Sequence, residues 1–323
     1  MNKNKVLDIK NIKVIQAPLA GISDIVYRNL IRKYVSKCLL STEMLSSEAL
    51  KNVQNPKIAD YKEEEYPLSF QIVGHKPDLM VQAAKLLENR ASVIDINCGC
   101  PVNKVVKSND GSGLMRTPKL AYDIVSAVRE NINIPLSVKF RLGWDKEHKN
   151  FIEFGQLMQK AGADFVTLHG RCRSDLYSGT SDWKAIGQLK KELDIPVFAN
   201  GDIKTVEDAA RCLDITGADG VSIGRGLMGD FTLASRIEHY LLTGEIIKDP
   251  GLNEKIDMLL NHIKDEIALR GEINGIKFMR KFYGFYISSV KNASKYRQVL
   301  VTLETFDEVK RALNDILCLY AGN

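Results

Sequence analysis

At 323 residues the chain exceeds one average domain and suits a single large barrel with a small appendage. Apolar residues make up 45% of it, ample for a large core, yet no apolar run approaches a membrane span, which excludes an integral membrane helix protein. The net charge of +5 permits an anionic partner without demanding one.

In chain order, residues 12–20 (IKVIQAPLA) read as a first strand that is halted at Pro18. Ser23 is positioned to N-cap the next helix, whose face carries Ile25, Val26, Leu30 and Ile31. Residues 38–45 read as a second strand and residues 68–73 as a third, closed by Gly74. Pro77 opens a helix at a position where a missing N–H costs nothing. Residues 92–99 (SVIDINCG) form the fourth strand, and Pro118 starts a helix that runs to about residue 130. Residues 136–142 (LSVKFRL) alternate apolar and polar as a fifth strand. A helix over 151–160 leads to a sixth strand at 165–168, ending at His169. A helix over 183–193 leads to a seventh at 197–199, ending at Asn200, Gly201 and Asp202. Thr205 caps a further helix, and residues 221–223 form an eighth strand before Gly224 and Arg225.

Eight strand–helix units in strict alternation predict a (β/α)8, or TIM, barrel. AGADFVTL at 161–168 and TGADGVSI at 216–223 repeat the same helix stop, turn and strand. An open doubly wound sheet is disfavoured because no Gly-x-Gly-x-x-Gly follows the first strand. Beyond residue 242 strand signals fade. Ile256, Leu259, Leu260 and Ile263 make one apolar helical stripe, and Val309, Leu313, Ile316 and Leu317 another. The expected division is therefore a barrel over 1–242 and a small all-α helical domain over 243–323, with Pro250-Gly251 in the linker.

The six cysteines are scattered, which fits no small disulfide scaffold and predicts reduced thiols. Cys98-x-Cys100 lacks a second close Cys/His pair, so no structural zinc or other metal site is expected. The opening MNKNKVLDIK has no apolar signal core, and the expectation is a soluble, cytoplasmic, monomeric protein.

The chemistry concentrates at predicted strand C-termini, which share one mouth in a barrel. Cys100 follows the fourth strand between Gly99 and Pro101. It could be a nucleophile, a metal ligand, a proton donor or plain packing, and the loop context favours function. Cys98 reads at least as well as a small buried apolar residue. The glycines and Arg225 after strands seven and eight suit a phosphate seat. Lys139 and Arg141 share one side of strand five, pointing either into the mouth or to solvent; two cations inside would require anions.

The whole chain resembles the tRNA-dihydrouridine synthases, the bacterial B-type in particular. The resemblance rests on APLAGISD (17–24), STEM (41–44), DINCGCP (95–101), GSGLM (111–115), VKFRLGW (138–144), HGRCR (169–173), FANGDI (198–203) and GRGLMGD (224–230) in that order. It implies FMN in the barrel mouth, lined by Pro18, Leu19 and Ala20, with Gln71 and Lys139 at the ring. His169, Asn200, Gly201, Asp202, Gly224 and Arg225 would hold the ribityl and phosphate end. Cys100 would be the general acid, and Asn97, Arg141 and Tyr177 would grip the target uracil. Arg171 and Arg173 would meet RNA phosphate. NADPH would be the electron donor and tRNA the substrate, held by the helical domain. Independently, residues 277–297 contain Lys277, Arg280, Lys281, Lys291, Lys295 and Arg297 with no acidic residue, interleaved with six aromatics. That pattern suits RNA, with Arg280 and Lys281 as contacts. The plainer alternative is an aromatic core stripe with a solvated basic side; we expect aromatics mostly in the core and cations mostly toward RNA.

Overall fold

The structure, a computed structural model, describes residues 7–51, 53 and 59–321. Nine parallel strands make one sheet: β1 (Val14–Gln16), β2 (Leu40–Ser41), β3 (Leu45–Ser46), β4 (Leu68–Val73), β5 (Val93–Cys98), β6 (Leu136–Arg141), β7 (Phe165–His169), β8 (Val197–Asn200) and β9 (Gly220–Ile223). Their order is β1-β9-β8-β7-β6-β5-β4-β2, with β3 also on β4. Closure comes from a parallel bridge between Ile15 and Leu39, where the Gln16 N–H donates to the Leu39 carbonyl at 2.9 Å. The expected second strand is thus broken in two: β2 and β3 both pair with β4 on either side of residues 42–44. Thr42 Oγ1 accepts the Gln71 N–H at 3.2 Å in that gap, so a side chain replaces a ladder bond there.

The barrel helices are α1 (Ile25–Arg32), α2 (Ser47–Leu50), α3 (Pro77–Glu88), α4 (Asn103–Lys107), α5 (Pro118–Arg129), α6 (Phe151–Lys160), α7 (Trp183–Glu192), α8 (Val206–Thr216) and α9 (Leu233–Thr243). Asp24, not Ser23, caps α1: its carboxylate accepts the Tyr27 N–H at 3.0 Å. Ser23 Oγ instead accepts the Leu19 N–H at 3.0 Å and tightens the turn at the barrel mouth.

Side chains alternate across each strand, so one set fills the barrel and the other meets the helices. Ile15, Leu39, Val93, Phe165 and Phe198 form a separate apolar plug inside. Two and four residues further along, the same faces turn polar: Asp95 and Asn97 on β5, Thr167 and His169 on β7, Asn200 on β8. The apolar plug therefore forms the floor of a polar mouth.

After Gly244, in the left-handed region at φ 76°, the chain continues as α10 (Leu252–Arg270), α11 (Glu272–Met279), α12 (Tyr283–Tyr286), α13 (Ala293–Leu300) and α14 (Phe306–Ala321). These helices share a continuous apolar core with the barrel. At the joint, Tyr27 of α1 lies edge-on to Phe231 at 5.4 Å, and His262 of α10 packs on Phe282 at 4.6 Å. Among the described residues no helix is long and apolar enough to cross a membrane.

Candidate active site

The cleft at the strand C-termini has a volume of about 370 Å³. Its lining brings together Pro18, Leu19, Ala20, Gln71, Asn97, Cys100, Lys139, Arg141, His169, Tyr177, Asn200, Gly201, Asp202, Gly224 and Arg225. Fifteen positions that the sequence spreads over more than two hundred residues thus meet around one space.

On β5, Asp95 and Asn97 both face inward because they are two apart. Asp95 is buried and accepts from Gln71 Nε2 and Ser137 Oγ, each at 2.6 Å. Burial pushes its carboxyl up, while those hydrogen bonds and Lys139 pull the other way. With its amide donating to Asp95, Gln71 turns its carbonyl oxygen to Asn97 Nδ2 at 2.7 Å. Asn97 Oδ1 in turn accepts the N–H groups of Gly99 and Cys100 at 3.1 and 2.9 Å. The loop that bears Cys100 is therefore fixed from the barrel floor upward. Burial also raises the Cys100 thiol, outweighing the opposing pull of Arg141 and Lys139, so it stays protonated at neutral pH. Cys98, the last residue of β5, has the opposite parity to Asp95 and Asn97, faces the helices and is fully buried.

Lys139 and Arg141 point into the barrel. Burial, with Arg141 beside it, lowers Lys139 to about 8, and its Nζ donates to Asn200 Oδ1 at 3.0 Å. Arg141 donates from Nε to the Gly99 carbonyl at 2.8 Å and from Nη1 to the Cys172 and Leu176 carbonyls at 2.9 Å. It ties the Cys100 loop to the loop after β7, leaving Nη2 for a ligand. Tyr177 sits between two guanidinium groups, 5.6 Å from Arg141 and 5.3 Å from Arg225.

Opposite lies the end of the cleft formed by the residues after β7, β8 and β9. Burial and four surrounding cations, Lys139, Arg141, Arg171 and Arg225, hold His169 well below the usual range, so it is neutral. Arg171 Nη1 lies 3.3 Å from His169 Nε2. A guanidinium cannot accept, so Nε2 carries the lone pair and Nδ1 the proton. Gly201 has φ 123°, and an added Cβ would lie 2.4 Å from Ser181 Oγ, so the close approach needs glycine. Asp202 also adopts the left-handed region, at φ 57°. Burial alone would raise Asp202, but the Ser181 N–H and Arg171 outweigh it and hold the carboxyl below its ordinary range.

Arg171 departs from the expected RNA contact. It is 2% exposed and donates to both Asp202 oxygens, at 2.9 and 2.7 Å, and to the carbonyls of Ser178 and Gly179. In this position it braces the Gly201-Asp202 turn. Arg173 lies on the rim instead, donating to Asn103 Oδ1 at 2.6 Å and stacking 4.6 Å from the Trp144 ring. Arg280 and Lys281 are outside the cleft. Lys281 stacks 3.3 Å over Phe278 and donates to the Gly21 carbonyl of the mouth loop, so it joins the helices to the barrel. Arg280 Nη2 donates to the Leu303 carbonyl at 3.3 Å.

The sequence reading missed Lys204, Met44 and Asp95. Asp95 was signalled: an acid on an otherwise apolar strand, in phase with Asn97. Lys204 follows the Asn200–Ile203 turn and had no pattern of its own. Among the described residues no group of three or more His, Cys, Asp or Glu is arranged to hold a metal ion.

A (β/α)8 barrel with a cation-lined cleft and a protonated thiol at its edge defines a barrel enzyme that handles an electron-rich, anionic ligand. The dihydrouridine synthase (Dus) family model matches residues 15–319. A "Probable tRNA-dihydrouridine synthase 1" of Synechocystis is 39% identical over 307 residues, covering 94% of this chain and 86% of that one. A "tRNA-dihydrouridine synthase B" of Shewanella oneidensis is 38% identical and covers 93% of each. A solved 2-naphthoyl-CoA reductase complex shares the barrel, at TM-score 0.56 and 10% identity, over 73% of this chain and 52% of its own. The chain belongs to the dihydrouridine synthase family, and it is an oxidoreductase.

Proposed function

We propose that this enzyme is an FMN-dependent tRNA-dihydrouridine synthase, reducing the C5=C6 bond of D-loop uridines with NADPH as electron source. The observation that carries this reading is the Cys100 thiol, kept protonated and locked by Asn97 at the edge of a cleft whose inner wall presents Lys139.

The residues fit FMN. Ser222 Oγ lines the cleft and is buried without a hydrogen-bond partner. Gly224 has only Leu19 and Ala17 near its open face, at 3.5 and 3.8 Å, which leaves room for a ligand to approach its backbone. Arg225, Lys204 and the N–H groups after β8 and β9 suit the phosphate, and Pro18, Leu19 and Ala20 give the ring an apolar wall. FMN bound there would supply the hydride that C6 of the uracil takes up. Lys139 offers a cation to the pyrimidine part of the flavin, and neutral His169 offers Nδ1–H to its polar chain. Asn97, Tyr177 and the free Nη2 of Arg141 orient the uracil. Cys100 gives its proton to C5, so hydride and proton together saturate the bond, and the thiolate regains a proton from water.

On this reading the barrel over 1–242 is the catalytic unit and the helices over 243–323 hold tRNA. The enzyme then acts as a monomer, and a cytoplasmic location matches tRNA and reduced thiols. The test is purification followed by mass spectrometry of tRNA. A yellow protein that releases FMN, and restores dihydrouridine to tRNA from a strain lacking the gene, is the expected result. A protein that takes up no flavin, or reduces free uracil in preference to tRNA, overturns it.

A further inference from the structure

The loop after β7 carries an unusual residue at its tip. Leu176 has φ 50°, a region that leucine avoids. It is 51% exposed and lies outside both the apolar core and the cleft lining. The loop around it is fixed from beneath: Arg141 holds the Leu176 carbonyl, Arg171 holds those of Ser178 and Gly179, and Asp175 accepts the Cys172 N–H at 2.8 Å. The two buried arginines that anchor this tip are the same ones that order the cleft. Tyr177, the next residue, lines the cleft itself.

A strained, rigidly held, solvent-facing leucine one residue from the uracil pocket is placed where it can act on a bound partner rather than on the fold. A uridine that enters the cleft must leave its stack, which costs a few kcal/mol and opens a gap between its neighbours. Apolar side chains inserted into nucleic-acid stacks fill such gaps. We infer that Leu176 is the wedge that occupies the space vacated by the extracted uridine, while Tyr177 and Arg141 receive the base. The inference rests on the reading that the substrate base is drawn from tRNA.

The test uses the FMN-loaded, full-length enzyme and a synthetic tRNA with 2-aminopurine beside the target uridine. Leu176→Gly removes the wedge yet suits the left-handed backbone better than leucine does. Its flavin content and thermal midpoint should therefore not fall. Its reoxidation of reduced flavin by tRNA should slow roughly tenfold or more, the scale of losing one buried leucine contact, and the 2-aminopurine fluorescence rise should be lost. Leu176→Met should restore both. On a short single-stranded RNA bearing the same uridine, Leu176→Gly and wild type should differ by less than about twofold, because no stack has to be opened. Equal reoxidation by the two proteins on structured tRNA, or an equal defect on both substrates, overturns the wedge alone. Failure of the wild type to reoxidise with any tRNA overturns the functional reading beneath it.

Discussion

The side-chain oxygen of Asn97 accepts the backbone N–H of Cys100 at 2.9 Å, and its amide donates to Gln71 at 2.7 Å. One residue therefore sets both the reach of the thiol and the orientation of the amide on the neighbouring strand β4. Asn97→Ala leaves two loop N–H groups and the Gln71 oxygen without partners. We expect a loss of about 1–3 kcal/mol in urea unfolding, with a slower uridine step. Unchanged stability together with an unchanged step would show that the loop holds itself.

The end of β5 separates the two neighbouring cysteines: Cys98 is its last residue and is packed among the helices, whereas Cys100 lies in the loop beyond it and lines the cleft. Cys100→Ala should still bind FMN and accept electrons from NADPH, then stall at the uridine step by on the order of 10²–10⁴. Cys98→Ala, which trims a fully buried side chain on the helix-facing side, should cost about 1 kcal/mol of stability and little rate. Single-turnover reoxidation of reduced flavin by tRNA measures both. A stall in Cys98→Ala but not in Cys100→Ala reverses the assignment.

The eight-unit barrel and the common mouth were legible because alternation and strand-ending polar residues are local signals. Lys139 and Arg141 could be placed on one side of a strand but not inside or outside, since the period of two does not say which face is inward. The interrupted β2–β3 region was not legible, because Thr42 replaces a backbone bond from β4, far away in sequence. Arg171 was expected at RNA through the family resemblance, and Lys281 through the acid-free basic run over 277–297. Their partners, Asp202 and the Gly21 carbonyl, lie 31 and 260 residues away. Long-range pairing, not composition, turned them into braces.

Lys139 gives the reaction a basic limb. Burial, then Arg141, brings it to about 8, so it is a cation below that pH and neutral above it. The step that uses its charge should decline as pH rises through about 8. Stability should not decline with it. Between about 8 and the ordinary lysine range the unfolded chain binds the extra proton, so this group stabilises the fold more as pH rises there and less as pH falls through 8. Lys139→Arg should abolish the limb, since arginine stays charged. A limb of the same position in Lys139→Arg would assign it to another group.

Lys277, Lys291 and Lys295 of the helical region should behave differently from Lys281, which is exposed too but tied to Phe278 and the Gly21 carbonyl. Lys277, Lys291 and Lys295 are exposed, whereas Phe282, Tyr283 and Tyr286 are fully buried. Reversing Lys291 and Lys295 to Glu should weaken tRNA binding, flatten its dependence on salt and leave unfolding within about 0.5 kcal/mol. Lys281→Glu should instead lower stability, because it loses the Phe278 stack and the Gly21 carbonyl. Filter binding across a salt series, beside thermal melts, separates the two. Equal tRNA affinity after the double reversal would leave those lysines as solvated charges.

Gly229 tests the joint between barrel and helices. It lies after β9 at φ 87°, and an added Cβ would sit 2.7 Å from the Phe285 carbonyl carbon and 2.8 Å from the Tyr286 nitrogen. Both are backbone atoms of the α12 region, so no side chain can swing away. Gly244 provides the control: its φ is 76°, but nothing lies within 4 Å of the added carbon. Gly244→Ala should cost only the backbone term, roughly 1 kcal/mol. Gly229→Ala adds displacement of α12 from the mouth loop, so its loss should reach about 2–4 kcal/mol. The same displacement should weaken tRNA binding in Gly229→Ala and not in Gly244→Ala. Equal stability losses in the two variants would mean that the helices yield without resistance and that the mouth loop and α12 are not held in fixed register.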